Sequence, residues 1–519
     1  MRKLSIWLLV LLFVPFFSFV LNGFLYPRAK ILIPFIPLII YVVILTLDEY
    51  HQRALKLDIK LLVLLVLPLL LFYRQPLVIL DMGICFMGLI LYLKISKQAL
   101  TLLMIMPLVL SYKNNQKENF VQDKRYQKVA QLNQVKVETK GRYDSFKESL
   151  NTVNQVNDNT LRTSIYSSVS NSLYNHFYYD VIKNPIQIKN RVACLSGSNI
   201  FFQGMMGVKT LYSENVVPIG YTPSGDNLYQ NDDVLPLVYA TSDTYSVKKF
   251  EQLTFPTTLD TLYNNVIVED GKDDYQSQNQ SIKLDTIIND QSDNLKITKL
   301  SDGYRINSKK TTNLELGINQ DLTNQILMIE FDLDKVKLKK TSDTTITING
   351  VKNKLSSDKA AYPNHNTHFT YILSQNEPLD QLKIKFSNGR YDLVNLKVST
   401  LNYDVIKQRA SKVDALNGVY QQDGKLVSGQ INVSNDGYLV TSLPYQNGYE
   451  ILIDDQVVKG ECVNTAFLGA KISKGKHQVR IIFKAPMKKV GFVCSGVGLV
   501  LLVLQGRREK NEKRFKRVN

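Results

Sequence analysis

The side chains of this 519-residue chain that could do chemistry are few and widely spaced. Asp81 is an acid inside an apolar run, where ionisation is costly enough that a substrate or proton contact is the default reading. The plainer alternative is an ion pair with Arg28 or Arg74 near the edge of that run. Arg28, Lys30 and Arg74 occupy short polar breaks between apolar runs, and a guanidinium fork matches two phosphate oxygens. These cations suit either a lipid-linked phosphate or ordinary anionic headgroups. An aromatic run of Tyr174, Phe177, Tyr178 and Tyr179 lies among Asn171, Asn175 and His176. It can stack on a sugar ring, or it can pack one domain against another. No metal centre is expected, because His365 and His368 lack further Cys, His or Asp at ligand spacing. Cys194 and Cys462 could pair in an oxidising compartment, although nothing in their spacing requires it.

Hydropathy indicates which elements must hold these groups. Apolar runs at 4–24, 31–47, 61–73, 77–93, 100–112 and 490–505 read as six membrane crossings, of which the third, fifth and sixth are short for a bilayer. The first is expected to be a retained helix, since a cleavable signal has a shorter core and small residues before its cut. Lys and Arg in short loops stay on the cytosolic side, which sets the orientation. With both termini inside, the inner segments collect Arg2, Lys3, Arg53, Lys56, Lys60, Lys94, Lys97 and the tail cations from Arg507 to Arg517. The short outer loops keep only Arg28, Lys30 and Arg74, so the polar block of residues 113–488 must face outward. The formal net charge of +17 is concentrated in the membrane segments and the tail, which makes it a topology signal. The lipid bilayer is therefore an expected partner, and nucleic acid is not.

The expected architecture is a polytopic α-helical membrane protein with a large extracytoplasmic α+β to all-β domain and a C-terminal transmembrane helix. Residues 1–112 form the membrane region of about five helices, and 113–270 a linker and an α/β unit. Residues 271–400 are predicted as a β-sandwich-like unit and 401–487 as a helix, over 402–418, followed by a smaller one. The last crossing covers 488–506 and a basic cytoplasmic tail 507–519. Local signals support the strands. Thr345 to Ile348 alternate polar and apolar before Asn349-Gly350, a tight-hairpin pair. Ile451, Ile453, Val479, Ile481 and Phe483 recur at period two, as a half-buried strand requires.

Pro444, Tyr445, Gly448, Asp454, Asn464, Phe467, Gly469, Gly475, His477, Pro486, Gly491 and Ser495 occur in the order of a known signature. On these positions residues 437–499 resemble the carboxy-terminal end of the YfhO family of bacterial membrane proteins. Tyr449 stands where that family usually has Trp, and Asp455 and Met487 where it has Gly. A second patch is similar to earlier family segments: Tyr166, Ser167, Asn171, Gly207, Val208, Lys209, Tyr212, Pro218, Gly220, Tyr221, Asn231 and Pro236. Residues 21–27, LNGFLYP, resemble an outer-loop motif that in the family lies within the membrane region. The resemblance covers nearly the whole chain, but only the later part of a family member.

The resemblance implies a glycosyltransferase of the GT-C membrane type. Such an enzyme moves a sugar from a polyprenyl-phosphate carrier onto envelope polymers such as teichoic acids. A carboxylate near the acceptor hydroxyl and cations or a divalent metal at the departing phosphate would serve that chemistry. In the family the expected acid lies on an early outer loop, so this chain is expected to need an N-terminal-half partner for catalysis. Its candidate substrate contacts are Arg28, Arg74, Asp81, Tyr166, Asn171, Lys209 and Asn231. Pro236, Pro444, Tyr445, Gly448, Tyr449, Asn464, Gly475 and His477 are expected to shape turns and packing. The alternative is a non-catalytic envelope protein whose outer β units bind glycopolymer or a partner protein.

Overall fold

The computed structural model describes most of residues 6–22, residues 33–51, isolated helical positions between 80 and 91, and then 141–146, 161–163, 171–186, 199–337, 342–360, 363–420 and 425–518. The predicted runs 61–73 and 100–112 lie outside the described residues. The chain divides into two compact units, Met1–Asp123 and Lys124–Asn519. In the first, the helix Pro15–Leu21 falls within the predicted run 4–24 and Ile36–His51 overlaps the run 31–47 and continues past it, and Ile36, Ile40, Tyr41, Val43 and Ile44 stand exposed.

The second unit is rich in β-strands and ends in one long helix, Lys488–Val518. Its stretch Lys488–Arg508 is long and apolar enough to cross a bilayer, and no part of that stretch is buried. In the middle of the unit, a six-stranded and a five-stranded sheet share one core. The long antiparallel strands Gln325–Lys337 and Gly389–Asn402 run together in the first sheet. They contribute Phe331 and Tyr391 to the cluster that Ile346, Ile348, Leu382 and Phe386 enter from the second sheet. Alternation works here as the sequence pattern requires: in Thr344–Ile348 the first, third and fifth residues are buried. Asn349 and Gly350 both adopt left-handed backbone, φ 45° and 84°, which turns that strand directly onto Val351–Leu355.

Two further five-stranded sheets share a second core, with Leu439, Leu468 and Ala470 from one and Ile451, Val479 and Ile481 from the other. One strand of this pair comes from far upstream. Val238–Thr241 lies between Asp414–Ala415 and Gly437–Pro444, so the predicted segments 113–270 and 401–487 share a sheet. All four of its residues are buried, which demands cover on both faces of the sheet that a local pattern cannot identify. The helix predicted over 402–418 is Asp404–Ser411; it stops early because Asp414 and Ala415 pair with Ala240 and Tyr239.

The remaining elements pack around an aromatic core containing Phe177, Tyr178, Phe201, Phe202, Tyr263 and Phe467. Phe177 meets Phe467 edge to face at 4.7 Å, and Phe177, Tyr178 and Tyr179 are buried. The aromatic run therefore packs the interior, and no sugar-stacking surface forms from it. Asn464 ties this core to the C-terminal sheets. Its Oδ1 accepts from the Ile267 amide at 2.8 Å, and its own amide donates back to the Ile267 carbonyl at 3.0 Å. Asn464 is buried at φ 49°, a conformation Asn tolerates better than most residues. Asn464→Ala should destabilise this unit by about 2 kcal/mol, because it leaves a buried amide without an acceptor. Thermal unfolding of the purified full chain would show a lowered Tm, and an unchanged Tm would contradict the role.

Candidate functional site

Arg142 joins the signature segments. It opens the strand Arg142–Ser145, which pairs in parallel with Val208–Tyr212, and its amide donates to the Gly207 carbonyl at 2.7 Å. Its buried guanidinium donates through Nη1 to the Met206 carbonyl and to Ser442 Oγ, and through Nη2 to the Ser442 carbonyl at 3.2 Å. Burial pulls the guanidinium below its ordinary range, and the nearby charge of Asp144 opposes that pull. Asp144, also fully buried, accepts from the Thr163 amide at 2.7 Å and from its hydroxyl. No periodicity marks Arg142 in the sequence, since a cation in a short buried strand looks like an ordinary exposed one.

Around this point several predicted residues meet. Gly207 turns the chain at φ 62°, and a Cβ there would lie 2.8 Å from Leu237 and 2.9 Å from the Leu235 carbonyl. Lys209 Nζ pairs with Asp232 at 2.9 Å, and the Lys209 carbonyl accepts from the Asn231 amide at 2.9 Å. The Asn231 side chain accepts from the Asp233 amide at 2.8 Å and donates to Tyr403 Oη at 3.4 Å. Burial pushes the Tyr403 phenol well above its ordinary value, so it remains a donor, here to Asp233 at 3.3 Å. Asn171 caps the helix Ser172–His176 through the Tyr174 amide and donates to the Tyr445 carbonyl at 2.8 Å. Asn171, Lys209 and Asn231 are thus engaged with other parts of the chain.

The other signature positions shape strand ends. Pro236 precedes Val238–Thr241, while Pro444 closes Gly437–Pro444 opposite Phe467. The Tyr445 amide donates to Ala466 at 2.7 Å, and Gly448, at φ 106°, accepts from the Lys484 amide. The Tyr449 ring lies 5.0 Å from that of Phe483. Gly475, at φ 135°, begins the last strand, and His477 Nδ1 lies 2.7 Å from Asp454. That histidine contact, with the Gln478 amide, holds the Asp454 carboxyl below its usual range. Arg28, Arg74, Asp81, Tyr166 and Cys194 lie outside the described residues. Among the described residues, no group of three His, Cys, Asp or Glu side chains is placed to hold a metal ion.

A concave polar feature lies elsewhere in this unit. A cleft of about 170 Å³ is lined by residues that include Tyr179, Lys183, Asn184, Asn353, Asn366 and His368. His368 Nδ1 lies 2.7 Å from Asp332 and Nε2 lies 3.3 Å from Glu330. With a carboxylate at each ring nitrogen the imidazolium is favoured, and the Glu330 contact leads in raising its pKa. These residues come from segments far apart in sequence, and of the cleft lining only Tyr179, His365 and His368 drew attention beforehand.

The family described as bacterial membrane protein YfhO matches residues 4–495 of this chain. A curated relative, the uncharacterized protein YfhO of Bacillus subtilis (strain 168), is 26% identical over 171 residues. That match covers 32% of this chain and only 19% of the relative. Among solved structures, dimeric latent PorU from Porphyromonas gingivalis is 9% identical, covering 52% of this chain and 27% of its own, with a TM-score of 0.14. The conserved protein of unknown function PA5104 from Pseudomonas aeruginosa PAO1 is 10% identical, covering 39% of this chain and 92% of its own, with a TM-score of 0.13. Scores this low carry no structural argument.

Two outcomes follow from the geometry. Arg142→Met should cost about 3 kcal/mol by leaving buried acceptors unpaired, and Arg142→Lys should cost less; denaturant titration of the two variants checks the order. The His368 clasp should depend on pH. Its folded pKa is raised above 6.5, so its stabilisation is complete below that value and is lost as pH rises through the folded value. For Asp332, burial alone would raise the pKa, but hydrogen bonds from Asn395 and His368 prevail and hold it below 3.8, so its contribution is lost only in acid. Replacing His368 by Gln should flatten the stability profile between about pH 5 and 8. A wild-type Tm that does not fall on the alkaline side of that window would refute the clasp.

Proposed function

This chain belongs to the YfhO family of bacterial membrane proteins, and from that membership we propose that it is the membrane-anchored, acceptor-positioning part of a cell-envelope glycosyltransferase. The donor is a polyprenyl-phosphate sugar and the acceptor a teichoic-acid-type polymer. The observation that carries this reading is the single family match across residues 4–495, which joins the apolar N-terminal region to the large β-rich unit. In the proposed topology both termini are cytoplasmic, six helices cross the membrane, and the polar block of residues 113–488 faces outward with β-sandwich-like pairs of sheets.

The chemistry divides accordingly. Arg28 and Arg74, assigned to the short outer loops, would hold the lipid-linked phosphate and stabilise the charge on the departing group, and Asp81 is assigned to the same substrate contacts. Tyr166 is assigned to the acceptor in this proposal. Asn171, Lys209 and Asn231 act as positioning residues, since each is bound to another segment of the chain. In this proposal the catalytic carboxylate and any divalent metal are supplied by a transferase partner. A second reading is a non-catalytic glycopolymer-binding protein, favoured by the polar cleft beside Lys183.

Deletion of the gene should lower envelope-polymer glycosylation. Complementation by this chain together with a transferase partner should restore it, whereas either alone should not. Restoration by no combination would leave the binding role. Replacing Arg28 and Arg74 by Ala in the restoring pair should lower transfer by at least about tenfold, the scale of one lost charge-assisted contact.

A further inference from the structure

We propose that residues 445–449, together with the connection from Phe483 to Lys488, seat in the anionic headgroup layer of the membrane, so that the C-terminal pair of sheets stands with one end against lipid. This seat rests on the proposed crossing by Lys488–Arg508 and not on the transferase chemistry. Length sets its depth. The stretch Lys488–Arg508 has 21 residues, which as a helix span about 31 Å and take up the roughly 30 Å hydrocarbon core. Lys488 then lies at one boundary of that core and Arg508 at the other. Each headgroup layer is only about 5–8 Å deep. The strand Gly475–Phe483 ends just before the helix, and residues 484–487 between them cover at most about 14 Å.

The connection is in fact folded and fastened to the sheet. The Lys488 amide donates to the Ala485 carbonyl at 3.3 Å and Met487 is at φ 61°, so the chain turns directly into the helix. The Lys484 amide donates to the Gly448 carbonyl at 2.8 Å. A Cβ on Gly448 would lie 2.6 Å from the Lys484 carbonyl oxygen and 3.1 Å from Pro486, so residues 445–449 lie closely along the connection. The depth of one therefore fixes the depth of the other.

The side chains carried there suit the boundary between water and lipid. Tyr449 and Phe483 face each other on adjacent strands, half-buried, with their rings 5.0 Å apart. Met487 is 72% exposed, an apolar surface that lipid would cover. Lys484, Lys488 and Lys489 are exposed as well. The neighbouring acid, Glu450, is held by Lys484 at 2.7 Å, which leaves Lys488 and Lys489 for anionic headgroups. Rings with a polar edge and cations on long apolar stems are what this layer accommodates.

Single-tryptophan quenching tests the seat in the full chain, reconstituted in vesicles of phosphatidylglycerol and phosphatidylcholine, with Trp7, the one native tryptophan, replaced by Phe. Tyr449→Trp should be quenched about twofold more by lipids brominated near the glycerol backbone than by lipids brominated near the chain ends, and Leu499→Trp, midway along the crossing, should show the reverse. Gln456→Trp, at the far end of the hairpin that Tyr449 begins, should respond only to iodide in the water. Ala485→Trp, at an exposed position, is the second reporter where Tyr449→Trp does not fold. Shallow quenching should be stronger from brominated phosphatidylglycerol than from brominated phosphatidylcholine, and Lys488→Gln with Lys489→Gln should remove that difference. Leu499→Trp without lipid quenching would refute the crossing and the seat together. Deep quenching of Leu499→Trp with neither Tyr449→Trp nor Ala485→Trp quenched by lipid would refute the seat alone. Lipid quenching of Gln456→Trp equal to that of Tyr449→Trp, or no preference for the anionic lipid, would also overturn the proposal.

Discussion

The arrangement of the large unit depends on a buried guanidinium. A charge taken out of water must recover its lost hydration from fixed dipoles, and Arg142 does so with the Met206 carbonyl and both oxygens of Ser442. Those groups lie on two different structural layers, the end of the helix Ile200–Met205 and the strand Gly437–Pro444. The directionality of the fork leaves little freedom in how the two layers meet. The Gly207 turn, the Lys209 pair and the Asn171 contact to Tyr445 all lie within segments that this meeting brings together. A hydrophobic contact in the same place would tolerate sliding; a guanidinium with defined acceptors does not.

How much of this was legible in the sequence varied with the range of the interaction. Short-range features read well. The Asn349-Gly350 hairpin, the alternation through Ile451 and Ile453, and the turn at Asp454 and Asp455, both at left-handed φ, follow from backbone preferences of adjacent residues. Features set by distant partners did not. The helix after Asn402 was legible at its start but not at its end, because Asp414 is claimed by a strand lying far upstream. The aromatic run admitted two readings, and only the presence of Phe467 against Phe177 decided between them.

The candidate site shows the same division. Asn171, Lys209 and Asn231 stood out as signature positions, yet their roles lie in partners such as Tyr445, Asp232 and Tyr403 that no spacing connects to them. Arg142 carried no signal at all. The cleft was hidden in another way: Asn184-Pro185 and Pro363-Asn364 mark turns beside Lys183 and His365, but nothing in the sequence says that the two turns meet. A meeting of that kind is visible only once the surrounding sheets have been assembled.

The upstream strand Val238–Thr241 also bears on how the protein is made and divided. Because it sits inside a sheet whose other members span Asp414 to Ile472, that sheet has no complete form until most of the chain has been synthesised. A fragment cut at the apparent boundary near residue 401 would carry Gly437–Pro444 with one edge bare, and an unpaired apolar edge is a template for aggregation. The helix Lys488–Val518 follows almost directly on the last strand of the companion sheet, Gly475–Phe483. Completion of the sheets and synthesis of the apolar helix that follows them are therefore nearly simultaneous events, and the large unit is not a row of detachable modules, because an upstream strand completes a downstream sheet.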